Sequence, residues 1–399
     1  MEKKPGLFLS LTIGILTAFG PFLTDFYMPA LPEMVEALKT DEAAVQMSLT
    51  ACMLGLALGQ LVIGPLSDKY GRKRLLIGSL VLFLVASVFC VVASSITMFN
   101  IARVFQGLGG AGGIVLSKSI STDLFTGKAL TKFLAVLSMI NAVTSLAAPL
   151  VGGALLLVMH WQSIFIVCAG IGLSLIVMCA FVPESLPKEK RSDVSVVKSF
   201  GGLFKVFESR TFFCSTLVLM TMYFLFFCIV SSSTFILQTT YGMSSTLYAV
   251  VFGAGLLVIG FGAALCTKIQ SQVKALRVGI VLVILSTATT IISLLMLRNV
   301  YCIVISYVFA FFSFGMMQTL VTTIGLDAGR KRAGSSSAVL GACSFIAGAV
   351  APPLISLGRN LELGSCIGVA VSAALAALIV ARLTKLRSVR LKSGSQGSL

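Results

Sequence analysis

Charge is scarce in this sequence. Asp, Glu, Lys and Arg make up 11% of its 399 residues, against about 25% in ordinary soluble domains. Acids are scarcest, 14 against 30 Lys and Arg, and there is one His and one Trp. So little charge excludes a soluble enzyme, whose surface it could not cover. A hydrophobic share of 57% excludes a disordered chain. The same apolar background excludes a nucleic-acid binder, although the formal net charge is +16. The lone histidine, His160, cannot build a metal cluster. Ten Cys are scattered without a C-x-x-C pair, so neither a zinc site nor a disulfide frame is indicated. Nucleophile, His and acid cannot be assembled, and no catalytic residue is expected.

What the sequence has instead is apolar runs of membrane-spanning length, about 20 residues each. Twelve are read, near 7–31, 44–66, 75–95, 97–119, 130–158, 161–182, 211–237, 244–267, 276–297, 300–323, 333–357 and 363–381. They are continuous and too long for the alternating strands of an outer-membrane barrel, so the expectation is an all-α polytopic membrane protein. Lys3 and Lys4 before the first run imitate a signal peptide, but no small-residue cleavage site follows, and the run reads as a retained first helix.

An even number of spans puts both termini on one side. With that side inside, 26 of the 30 basic residues fall on it, among them Lys69, Arg72, Lys73 and Arg74 after the second span. Lys39, Arg298 and Arg359 fall outside, and Arg103 lies in a span. This bias predicts cytoplasmic termini. The longest inner segment, 183–210, opens Pro183-Glu184-Ser185-Leu186-Pro187. Its Val194, Val197, Leu203, Phe204 and Phe207 among Lys198, Lys205 and Glu208 suggest an interfacial amphipathic helix, or simply a linker. It divides the chain into 1–182, the linker 183–210, 211–385 and a tail 386–399. The halves share a faint repeat: Leu61-Val62-Ile63-Gly64 with Leu257-Val258-Ile259-Gly260, and Ala148-Pro149-Leu150 with Pro352-Pro353-Leu354. Two six-span halves fit a secondary transporter with its site between them.

Two motifs mislead. Gly107 to Gly112 fits G-x-G-x-x-G, but it lies inside a span, with no preceding strand; the glycines serve close helix packing instead. Gly112 to Ser119 nearly fits a phosphate loop, with Ser117 where the second Gly belongs, and no soluble domain accompanies it.

Two ionisable residues lie well inside spans, Asp25 and Arg103. A charge there costs at least about 2.5–3.5 kcal/mol, so such residues pair or line an aqueous path. Opposite signs in one half predict that the two approach each other, directly or through water, with Gln106 on the Arg103 face joining them. The pair is either a structural tie between spans 1 and 4 or a site where Asp25 takes up and releases a proton.

The loop Gly64-Pro65-Leu66-Ser67-Asp68-Lys69-Tyr70-Gly71-Arg72-Lys73 closely resembles the signature loop of the major facilitator superfamily. Arg103-Val104-Phe105-Gln106-Gly107 resembles that family's span-4 motif, and Pro149-Leu150-Val151-Gly152-Gly153 its span-5 antiporter motif, with Ala148 where Gly is usual. Leu23-Thr24-Asp25-Phe26-Tyr27-Met28-Pro29-Ala30-Leu31-Pro32 looks like the span-1 signature of the Bcr/CflA drug-resistance group, and Phe200 to Phe213 like that group's stretch before span 7. The resemblance implies the major facilitator fold, twelve transmembrane helices in two six-helix bundles. It implies a proton-coupled efflux antiporter of drugs or other small amphipathic molecules, working by alternating access as a monomer in a bacterial plasma membrane. Its partners are then the small-molecule substrate, protons and membrane lipids, with no cofactor and no nucleic acid.

By match of motif, Gly64, Asp68, Gly71, Arg72 and Lys73 form an inner latch. Asp25, Arg103 and Gln106 carry proton coupling. Pro149, Gly152 and Gly153 carry the antiporter motif. Thr122 stands where relatives often have Arg, which leaves Lys118 and Arg72 as candidate cations for Asp68. Tyr27, Asn141, Tyr223, Phe224, Phe227 and Gln318 are candidate cavity walls. The same fold accommodates a symporter or a dedicated metabolite exporter, and another class of reading is a non-transporting receptor or scaffold.

Overall fold

The computed structural model describes residues 7–125, 127–191, 203, 205–269, 271–357 and 360–396, and among them no strand occurs. The first span is broken. Helices α1 (Leu7–Thr17) and α2 (Phe19–Thr24) are followed by a tight turn at Met28–Ala30 and a short α3 (Leu31–Ala37). The chain bends by 43° after Thr17. Pro21, Pro29 and Pro32 account for the interruptions, since each lacks an N–H and crowds the preceding turn. Then come α4 (Glu42–Tyr70), α5 (Arg72–Val91), α6 (Ile96–Leu124), α7 (Gly127–Leu155) and α8 (Gln162–Phe181). After the linker follow α9 (Arg210–Phe235), α10 (Ser245–Lys268), α11 (Gln272–Ile292), α12 (Val300–Ala328), α13 (Ala333–Ser356) and α14 (Leu361–Gln396).

Among the described residues nine helices are long and apolar enough to cross a membrane, and the bent first pair makes a tenth. The remaining two of the twelve are α6 and α7. In α6 the apolar run is diluted by Arg103, Gln106, Lys118 and five glycines. Those glycines set its packing. A side chain at Gly107 would strike the Cys52 carbonyl of α4, and one at Gly109 would meet the Ser79 carbonyl of α5 at 2.7 Å. Close backbone approach, not nucleotide binding, is therefore what the Gly107–Gly113 run provides.

The chain divides into two compact units. The first holds Met1–Gly201 with Met243–Gly253, and the second Gly202–Gly242 with Ala254–Leu399. The start of α10 thus groups with the first unit, where a division by spans puts it in the second half. The physical reason is small-residue packing: Gly153 of α7 faces Ser245 and Ala249, and Gly253 faces Leu146. In the linker, Leu203 and Val206 are buried, Lys205–Glu208 form a single tight turn, and the Phe207 ring packs against Phe212 and Phe213. Val194, Val197, Lys198 and Phe204 of the expected amphipathic helix, and Arg359, lie outside the described residues. The last helix continues through the expected tail to Gln396.

Candidate functional site

Asp25 sits where α2 ends, 8% exposed. Its carboxylate accepts from the Thr24 hydroxyl at 2.8 Å, and the same hydroxyl lies 3.1 Å from the Gly20 carbonyl. Arg103, 1% exposed, projects from α6 into the same break. The two charges do not pair: among the described residues no cation comes within 4.0 Å of Asp25. Of the direct and water-bridged approaches expected, the direct ion pair does not occur among the described residues. Arg103 donates through Nη2 to the Leu23 carbonyl at 2.7 Å and through Nη1 to Gln106 Oε1 at 2.5 Å. Its guanidinium lies 4.2 Å from the centre of the Tyr27 ring and 5.6 Å from that of Phe165.

The reason is local. The last carbonyls of a helix have no intrahelical partner, and Leu23 is one of them. A guanidinium satisfies that orphan and places positive charge at the carbonyl end of α2. Arg103 therefore holds the residues before and after Asp25 rather than Asp25 itself. The network continues outward: Gln106 Nε2 donates to Ser87 Oγ at 2.8 Å, and the Tyr27 hydroxyl meets Ser48 Oγ at 3.2 Å. Tyr27, a candidate cavity wall, is 1% exposed and belongs to this cluster. Gly152 packs against the Phe26 carbonyl, so the glycine of the antiporter motif lets α7 close directly on the turn that carries Asp25. Pro149 stands within α7, and Asn141 is half-buried on the same helix. Trp161 is buried against Phe99 and Phe165, while His160 beside it is exposed with Nδ1 3.4 Å from Glu33 Oε1.

At the basic end of this unit, α4 turns into α5 through Gly71, whose φ of +98° suits only glycine. Arg72 makes an ion pair with Asp68 at 2.5 Å and with Asp123 at 3.1 Å, and donates to Ser67 Oγ at 2.6 Å. Arg72, not Lys118, is the cation for Asp68. Ser67 in turn donates to the Gly64 carbonyl at 2.8 Å. Space does not demand glycine at Gly64, since a Cβ there would meet only Val115 at 3.8 Å. The Asp68 side chain is 52% exposed and its pair is screened by water; the Asp123 pair, 16% exposed, is the stronger tie.

Glu184 completes the cluster. Gly71 is the N-cap of α5 and has no side chain with which to cap it. Glu184 supplies the missing acceptor, taking the Arg72 N–H at 2.9 Å and the Lys73 N–H at 3.3 Å. A carboxylate is favoured there by the exposed N–H groups and the helix dipole. Lys73 Nζ returns the contact by donating to the Ala180 carbonyl at 2.7 Å, and Ser185 donates to Asp123 at 2.9 Å. Glu184 is not legible in the sequence as a site residue, and Asp123 is legible only as the acid after Thr122 at the end of span 4. The available signal was an uncapped glycine N-cap together with two acids standing among basic loops.

Gly71→Ala places a Cβ 2.5 Å from Glu184 Oε2 in a conformation that costs about 1–3 kcal/mol without glycine. The expected result is a lower thermal unfolding midpoint of the purified protein in detergent, and an unchanged midpoint would refute the assignment.

In the second unit, Gln318 Nε2 donates to the Tyr223 hydroxyl at 2.9 Å. The Tyr223 ring stacks on Phe227 and meets Phe314 edge-on at 5.3 Å, and Phe226 joins Phe227, Phe311 and Phe314. Three of the four expected wall residues here thus form one aromatic cluster with a single polar bond; Phe224 is half-buried beside them. Phe226, Phe311 and Phe314 were not singled out, because aromatic residues in an apolar span carry no pattern that separates cluster from packing.

A family model described as Major Facilitator Superfamily matches residues 13–352. The chain belongs to the Major Facilitator Superfamily. It is 34% identical over 393 residues to the MFS-type transporter YdgK of Bacillus subtilis (strain 168), covering 96% of this chain and 97% of the relative. It is 25% identical over 386 residues to the bicyclomycin resistance protein homolog of Haemophilus influenzae, covering 93% and 96%. Its fold is similar, with a TM-score of 0.74 at 18% identity over 97% of each chain, to a bacterial homolog of the human lysosomal transporter Spinster in an inward-facing, occupied conformation.

As a member of this superfamily the chain is a multi-pass membrane transporter of small molecules and not an enzyme. The motif resemblance to the Bcr/CflA group agrees with these relatives. Of the two candidate cations for Asp68, the facilitator loop uses Arg72. With Thr122 in the place of an Arg, the cation that joins Asp68 to the end of α6 comes from the loop itself, as Arg72.

Proposed function

We propose that this facilitator is a proton-coupled efflux antiporter that exports drugs or other small amphipathic molecules by alternating access. The observation that carries the reading is Asp25: a carboxyl buried at a helix break, beside an arginine committed to other acceptors, and bonded among the described residues only by the neighbouring Thr24. A carboxyl so placed can exchange a proton without breaking an ion pair. The relative named for bicyclomycin resistance supports a drug-like substrate, and the aromatic cluster about Tyr223 suits lipophilic surfaces with few polar demands. The basic bias of the loops and the bacterial relatives support a plasma-membrane location with both termini cytoplasmic. The proton gradient supplies the energy, no cofactor enters, and the monomer is the working unit.

A second reading, a symporter or a dedicated metabolite exporter, is favoured by one departure: Ala148 replaces the glycine usual before Pro149. Everted membrane vesicles separate the two. With an acid-inside gradient, an antiporter accumulates ethidium or a similar lipophilic dye, and an uncoupler releases it. No accumulation across a panel of such dyes and metabolites would overturn the antiporter. In the same assay Arg72→Ala is expected to slow uptake several-fold with a modest loss of folded protein, since it severs both acid ties while Glu184 still caps α5. Undiminished uptake would count against the latch.

A further inference from the structure

Arg103 holds the broken first span at the Leu23 carbonyl, just before Asp25. Beyond Asp25 the chain makes its tight turn and enters α3, and Glu33 lies in the first turn of that helix. A helix of seven residues has little stability of its own. Its N-cap residue, Ala30, offers no side-chain bond. An acid in a first turn ordinarily serves its own helix end. The Glu33 carboxylate is turned to another helix instead: Oε1 accepts the Trp161 N–H at 3.1 Å, across 128 residues of chain. Trp161 is the N-cap of α8 and supplies no side-chain cap. Glu33 therefore does for α8 what Glu184 does for α5, a remote carboxylate serving an N-terminus that its own cap residue leaves bare. This tie lies at the end of the unit away from the basic cluster, since α3 leads into the start of α4 and the Gly71 turn follows its last residue.

From Trp161 a continuous run of packed rings leads back to the break. The Trp161 ring meets Phe99 edge-on at 5.6 Å and Phe165 edge-on at 6.0 Å. Phe165 lies 6.0 Å from the Tyr27 ring and 5.6 Å from the Arg103 guanidinium. All four rings are buried. Interiors packed this way transmit displacement rather than absorb it. The start of α8 thus touches the break on both sides. Phe165 meets Tyr27 and Arg103 beside Asp25, and the Trp161 N–H holds Glu33 beyond it. His160 adds little to this tie, because its side chain is 93% exposed and its contact with Glu33 is screened by water.

We propose that Glu33 is a positioning residue for Asp25: by tying α3 to the start of α8 it holds the far side of the break, as Arg103 holds the near side. This deepens the proposed function and rests on Asp25 as the coupling group. Glu33 itself touches neither Asp25 nor the aromatic cluster about Tyr223, so its loss slows the transport step and leaves substrate affinity alone. The chain supplies its own reporter of the tie, since Trp161 is its single tryptophan.

The experiment pairs Trp161 fluorescence of the purified full-length protein in nanodiscs with ethidium transport in everted vesicles. Glu33→Ala frees the start of α8, so its emission is expected to shift to the red and to be quenched more readily by acrylamide. Its kcat for ethidium is expected to fall about threefold to tenfold, the worth of one hydrogen bond, with KM unchanged. Glu33→Gln keeps a carbonyl acceptor in the same place and is expected to restore both readouts. Arg103→Lys, at the other end of the run of rings, is expected to shift the Trp161 emission through Phe165. Unchanged emission in Glu33→Ala removes the tie, and unchanged emission in Arg103→Lys severs its path to the break. A red shift with kcat at the wild-type value, or a rise in KM in place of the fall in kcat, removes the positioning role. If the wild type transports no ethidium, the antiporter reading fails, and the two emission measurements still decide whether Glu33 holds the break.

Discussion

Asp25→Asn is expected to abolish gradient-driven accumulation in everted vesicles while leaving substrate exchange down its own gradient intact. The argument is hydrogen-bond bookkeeping. The Thr24 hydroxyl has one proton and two acceptors in reach, Asp25 Oδ1 at 2.8 Å and the Gly20 carbonyl at 3.1 Å. When the carboxyl is ionised, Thr24 donates to it. When the carboxyl is protonated, it can donate to Thr24, and Thr24 turns its own proton to Gly20. Both states are satisfied without moving the backbone, as a site that loads and unloads within a turnover requires. Asparagine has nearly the shape of the protonated acid and donates through its amide in the same place, but it cannot release a proton. The variant should fold, bind and exchange substrate, and fail only where coupling is measured. Full gradient-driven transport by Asp25→Asn would remove Asp25 from coupling altogether.

The spans were legible because the membrane leaves little choice. A backbone in hydrocarbon must satisfy its own hydrogen bonds, so each apolar run of sufficient length is a helix. Their ends were less legible, because helices run on past the apolar stretch when polar residues extend them. The run at 97–119 becomes a helix to Leu124, and the one at 363–381 continues to Gln396. The break in the first span was signalled by Pro21, Pro29 and Pro32. What it does to charge was not signalled. Two opposite charges in one half suggest a pair, but a helix break also frees carbonyl groups, and these leave no mark in the sequence. Arg103 found the Leu23 carbonyl and the Tyr27 face instead of the acid. Glu184 escaped notice for a related reason. Its partners are backbone N–H groups more than a hundred residues away, needed only because Gly71 cannot cap its own helix.

The second large effect is expected at Arg103, and its pattern differs from that of Asp25. Arg103→Ala leaves the Leu23 carbonyl and Gln106 Oε1 without their donors in an apolar surround, each at about 1–3 kcal/mol, and removes the cation over Tyr27. The turn that carries Asp25 then loses the contact that fixes both its sides. Gradient-driven accumulation and downhill exchange should both disappear, with a lower thermal midpoint, because the defect lies in the position of Asp25 rather than in its proton. Arg103→Lys is the sharper test. It keeps the charge and much of the length, but a single ammonium cannot span Leu23 and Gln106 with the planar fork of a guanidinium while staying over the tyrosine ring. It should fold near the wild-type midpoint and transport about tenfold more slowly, reflecting the loss of one charge-assisted bond. If Arg103→Lys transports at the wild-type rate, a charge alone suffices at this position, and the clamp across the break is not what aligns Asp25. If Arg103→Ala retains downhill exchange while losing only coupling, Arg103 acts on the proton directly, and its role as the positioning residue falls.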